Sequence, residues 1–153
     1  MYCFARKVFP VWYNSILATY DGSPSSKHSV SVATQLAKEN PSSRLILLHV
    51  VALGTAAMGG ASLTTEVVEA AEEARRYLDS VAAKVEAETK VVIFKGATAA
   101  DSIVRIAGKY HCDLIVMGCH GSGGYKGYLG SVSHAVVEAA GANVLITKYR
   151  SKN

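Results

Sequence analysis

The sequence predicts an α/β domain: a three-layer α/β/α sandwich around a doubly wound, five-stranded parallel sheet. Short runs of β-branched and aliphatic residues alternate with longer segments of helical period from Ser15 to Thr147. Helices between successive strands require parallel pairing and right-handed crossovers. One strand run, Arg44 to Val51, is almost unbroken in apolar residues, as expected for a sheet covered on both faces. At 153 residues, half of them apolar, the chain suffices for one domain with a sizeable core and is short for two.

Each element has a local reason. Ser15 to Tyr20 reads as the first strand, followed by the turn Asp21-Gly22-Ser23-Pro24. Ser23 suits a helix N-cap and Pro24 the first helical position. Val30, Ala33, Leu36 and Ala37 recur at helical spacing to about Lys38, and Asn40-Pro41 ends that helix. After the second strand, residues 52–63 are small and glycine-rich and read as a mobile loop. A long amphipathic helix is expected from about Thr65 to Glu88, with Val67, Ala70, Ala74, Leu78, Val81 and Val85 inward. Its acidic run Glu66–Glu73 reads as a solvated face near the positive helix end. Lys90 to Lys95 is the third strand. Thr98 and Asp101 resemble a capping box opening a helix to about Tyr110. Asp113 to Met117 is the fourth strand, about 131–140 the last helix, and Val144 to Thr147 the last strand. The domain is placed at 14–148, between an extension (1–13) and a short tail (149–153).

The net charge of +4 points at first to an anionic macromolecule. Its distribution removes that reading. Five of the 16 basic side chains (Arg6, Lys7, Lys148, Arg150 and Lys152) lie in the first 14 or last six residues, which contain no acids. Residues 15–147 then hold 11 basic and 12 acidic groups, a net of −1. A basic groove for nucleic acid is not expected. The three cysteines, Cys3, Cys112 and Cys119, form neither a disulfide framework nor a zinc spacing, which suits a reducing cytoplasm. No apolar run is long enough to span a bilayer, and the N-terminus lacks the continuous apolar stretch of a signal peptide.

In an open parallel sheet, ligands bind beyond the carboxyl ends of the strands, where strand order reverses. Two loops are expected there. One is Tyr20-Asp21-Gly22-Ser23. The other runs from Gly118 to Ser131 and holds six of the chain's 13 glycines. Glycines let a backbone approach a ligand closely, and the helix starting at Ser131 offers unpaired N–H groups and a positive dipole end. Together they suit a phosphate. The loop is neither a GK[ST] phosphate loop nor a GxGxxG dinucleotide fingerprint after the first strand.

These motifs resemble the universal stress protein family. The residues concerned are Ile16 to Pro24, Leu47-Leu48-His49-Val50, and Asp113 to Gly121 together with Leu129-Gly130-Ser131-Val132. Nucleotide-binding members of that family carry a G-x2-G-x9-G-[S/T] loop after the fourth strand. The resemblance covers about residues 14–148. It implies a Rossmann-like sheet of order 3-2-1-4-5, a cytoplasmic homodimer joined through strand 144–147, and ATP bound across the first and fourth strands, with or without Mg or Mn. By position, Asp21 and Val50 would line the adenine pocket, with Thr19 at its edge. Met117, Gly118, His120 and Gly121 would contact ribose and phosphate, and Gly130, Ser131 and Val132 would hold the phosphates. Asp21 offers an acceptor for an amine or hydroxyl, Val50 an apolar wall, and Ser131 a hydroxyl beside helix N–H groups. Lys126 is a candidate for a terminal phosphate and equally a solvated loop lysine.

The chain departs from that pattern in three places. Eight residues, not nine, separate Gly121 from Gly130; Thr19 replaces a common proline; and His134 stands where an acid is expected. No hydrolytic constellation is evident, so the expected role is a nucleotide-dependent stress-response module without efficient chemistry. The alternatives are a weak nucleotide hydrolase and a dimeric scaffold that binds no nucleotide. Adjacent residues usually point apart, so Cys119-His120 is not read as a metal site. His49 is read as a satisfied structural histidine, Cys112 as an inert thiol, and His28 and His111 as exposed.

Overall fold

The structure, a computed structural model, describes residues 13–53, 64–120 and 129–149. The element order is β1 (Ser15–Tyr20), α1 (Pro24–Glu39), β2 (Arg44–Ala52), α2 (Thr65–Ala82), β3 (Glu88–Gly96), α3 (Ala99–Lys109), β4 (Leu114–Gly118), α4 (Ser131–Ala139) and β5 (Asn143–Thr147). The strands form one five-stranded sheet of order β3-β2-β1-β4-β5, and every pairing is parallel. The direction of winding reverses between β1 and β4, so the crevice beyond their carboxyl ends is the topological switch point.

Side chains alternate across each strand and divide the core in two. On one side Ile16, Ala18, Leu45, Leu47, Leu114 and Val116 pack beneath α1 and α2. On the other, Leu17, Ile46, Leu48, Ile115 and Met117 pack with Ile103, Ile106 and Val136 from α3 and α4. The central strands are covered on both faces, as their unbroken apolar runs require.

The helix starts follow the expected chemistry. Ser23 Oγ accepts from Ser26 N at 3.1 Å. Thr98 Oγ1 accepts from Asp101 N at 3.2 Å and donates to Asp101 Oδ2 at 2.7 Å. The end of α2 differs from expectation. It stops at Ala82 rather than near Glu88, because Ala83, Lys84 and Val85 bond back in a tightening turn to Asp79, Val81 and Ala82. Val85 still packs against the core from that turn, which is why the apolar period overran the helix. Ala70, expected inward, is exposed, and β3 begins two residues early with Glu88 beside Arg44.

The buried face of α1 contains Ser26 and Ser29 as well as Val30, Ala33 and Ala37. Ser29 Oγ donates to Ser26 O at 2.8 Å and lies 3.3 Å from Thr19 O on β1. Such returned hydroxyls let a polar residue sit against a sheet without an unmet hydrogen bond. Among the described residues, no helix is long and apolar enough to cross a membrane.

Candidate functional site

The turn after β1 is fixed by its own polar groups. Gly22 has φ +86, in the left-handed region that favours glycine. Asp21 Oδ1 accepts from Ser23 N at 3.0 Å, and Asp21 N donates to Ser26 Oγ at 3.2 Å. Among the described contacts, Asp21 Oδ2 is left free on an exposed carboxylate. Strand alternation puts Thr19 on the same side as Leu17, and Val50 on the same side as Leu48. Thr19, Val50 and Met117 therefore share the face covered by α3 and α4. Thr19 and Val50 are half-buried and Met117 is buried.

A second group of bonds seats α4 over the end of β4. Gly130 N donates to Cys119 O at 2.8 Å, Ser133 Oγ donates to Gly118 O at 2.9 Å, and Cys119 N donates to Thr147 O at 3.0 Å. Gly130 is the N-cap of α4, and among the described residues no side chain caps that helix. Ser131 and Val132, its first two residues, are exposed. The first N–H groups of α4 are thus available to an anion, beside the end of β4. Gly118 is also where α1 comes close. A Cβ there would meet Ser25 Cβ at 3.0 Å and the Ser25 carbonyl carbon at 3.1 Å.

The structure thus collects Thr19, Asp21, Val50, Met117, Gly118, His120, Gly130, Ser131 and Val132 at one end of the sheet. Gly121 and Lys126 lie outside the described residues. His134 turns its Nδ1 toward Glu138 Oε2, 3.3 Å away on the next turn, both side chains being exposed. Cys119 and His120 do not point apart. Cys119 Sγ lies 2.8 Å from His120 Nδ1. β4 ends at Gly118, so strand alternation no longer applies to them. Among the described residues, no group of three or more metal-ligating side chains comes together.

The opposite side of the same end holds something the sequence reading missed. A cleft of about 480 Å³ lies between the first turns of α1 and the middle of α2, lined by Tyr20, Asp21, Ser23, Lys27, His49 and Glu73 among others. Tyr20 and Tyr77 stack at 4.6 Å between ring centroids. Burial first, then the neighbouring Tyr77, Glu73 and Asp21, raises the Tyr20 phenol above its ordinary value. His49 Nδ1 lies 2.9 Å from Tyr20 O, the structural bond expected of it. His28 is half-buried rather than exposed, its ring 6.1 Å from that of Tyr149. A polar residue read singly gives no sign of such partners across the fold.

The Universal stress protein family profile matches residues 13–148. The chain belongs to the universal stress protein family. It is 29% identical over 137 residues to universal stress protein A homolog 1 of Coxiella burnetii, spanning 87% of this chain and 94% of that one. Among solved structures, hypothetical protein MJ0577 is 26% identical with a TM-score of 0.77, over 93% of this chain and all of the other. A universal stress protein solved in complex with cAMP is also 26% identical, with a TM-score of 0.63, over 89% of this chain and 97% of that one. This universal stress protein therefore has relatives across nearly its full length, and its sheet order is the one the resemblance implied.

Proposed function

We propose that this chain binds ATP or another adenine nucleotide beyond the ends of β1 and β4, and acts as a nucleotide-dependent regulatory module in the stress response. The observation that carries the reading is the start of α4. Among the described residues it has no side-chain cap; it starts at Ser131 behind the N-cap Gly130, and it is bonded directly to the end of β4 at the switch point. Val50, with Thr19 at the edge, would give the apolar side of an adenine pocket, Met117 and Gly118 would approach the ribose and phosphate, and the free oxygen of Asp21 would offer an acceptor for the amine or for a ribose hydroxyl. The cAMP complex of a similar chain supports the ligand class. Mg or Mn, where bound, would be held chiefly by phosphate oxygens and water. Purified protein, denatured and chromatographed, is expected to release adenine nucleotide, or the empty protein to bind added ATP in calorimetry. Protein that is empty and stays empty would favour the non-binding scaffold.

The same reading includes a cytoplasmic homodimer joined through β5. That strand is an edge of the sheet, and an unpaired edge is a template for a second strand. Leu145 on it, Tyr149 just beyond it and Val137 on α4 are exposed apolar side chains. Ile146→Pro and, separately, Leu145→Glu are each expected to yield monomers in light scattering. Dimers persisting in both folded variants would place the interface elsewhere.

A further inference from the structure

Cys119 and His120 are paired before any ligand arrives. The Sγ···Nδ1 separation is 2.8 Å. His120 Nε2 is buried and has no hydrogen-bond partner among the described residues. A ring that carries its hydrogen on Nε2 leaves the Nδ1 lone pair for the thiol proton. An imidazole in this position is a base set to take that proton as the sulfur attacks. The pair also sits beside the uncapped start of α4, through the bond from Gly130 N to Cys119 O. A helix N-terminus stabilises negative charge that develops next to it. Cys119 is 8% exposed, which admits only a small reagent. Cys112 has none of these features. Burial pushes its thiol up from its ordinary value, and its neighbour is the Ser15 hydroxyl at 3.5 Å.

We propose that Cys119 is a peroxide-reactive thiol with His120 as its base. The sulfur attacks one oxygen of a small hydroperoxide, the S–O bond forms and the O–O bond breaks. The thiol proton passes to His120 Nδ1 and from there to the departing hydroxide. Cys119 becomes a sulfenic acid, the sulfur losing two electrons, and hydrogen peroxide is reduced to water. Such oxidation would place a polar oxygen next to the first turn of α4, in the region read above as the phosphate site. The reaction itself requires no nucleotide.

The test uses the full chain, free of nucleotide, treated with hydrogen peroxide in the presence of dimedone, with adducts located by peptide mass spectrometry. Cys119 is expected to form the adduct at least about tenfold faster than Cys112, and His120→Asn to slow it by at least about tenfold. The Cys112 rate in the same digest is the folding control, since an unfolded chain would label both thiols alike. Equal rates at the two cysteines in the native protein, or a Cys119 rate unchanged in folded His120→Asn, would overturn the proposal. Neither outcome bears on whether ATP binds.

Discussion

Gly118→Val is expected to destabilise the domain by about 1–3 kcal/mol, seen as a fall of roughly 3–10 °C in melting temperature. The cause is local overpacking. A Cβ at this position already meets Ser25 Cβ at 3.0 Å and the Ser25 backbone carbon at 3.1 Å. A backbone atom cannot rotate away, so α1 must shift. Its first turn carries Ser23 and Ser26, which hold Asp21 by two hydrogen bonds, and the displacement would reach the proposed adenine contact as well. Nucleotide affinity should therefore fall with stability. Gly108→Ala is the matched control. Nothing lies within 4 Å of a Cβ there, and the site is inside α3, so alanine should stabilise by about 0.5–1 kcal/mol. A Gly118→Val protein as stable as the parent would refute the close approach of α1 to β4.

Ser131→Glu separates binding from folding by the sign of its two effects. A carboxylate in the first turn of α4 faces the positive end of the helix, which at present has no acidic residue there. Stability should rise by about 0.3–1 kcal/mol. The same carboxylate would stand where the proposed phosphates sit, and like charges brought together cost several kcal/mol. Affinity for ATP should fall by at least about a hundredfold, measured by calorimetry beside a thermal melt. Unchanged affinity in the stabilised variant would move the phosphates away from α4.

The fold was legible because its strands and helices announce themselves by period. Leu45 to Leu48 are consecutive and all buried, a pattern few other arrangements tolerate. What escaped the period was whatever did not depend on hydrophobicity. The buried Ser26 and Ser29 are invisible to an apolar count, yet their hydroxyls are satisfied by carbonyls only three to ten residues away. Val85 kept the helical rhythm after the helix had ended, because a turn can bury a side chain as well as a helix can. The candidate site was legible through its glycines and the serine that follows them. The cleft on the opposite face was not. Tyr20 meets Tyr77 across 57 positions, and nothing local to either residue marks the other. The side chains of Cys119 and His120 meet because alternation holds within strands and lapses one residue beyond them.

Two of the bonds described at the start of α4 run in series. Gly130 bonds to Cys119, Cys119 bonds to Thr147, and Thr147 is the last residue of β5. The start of the helix and the outer strand of the sheet are thus joined through a single residue. Under the proposed binding and pairing, linkage sets a condition of equality: any effect of a ligand at the helix start on strand pairing at β5 would be matched by the same factor in the effect of pairing on the ligand.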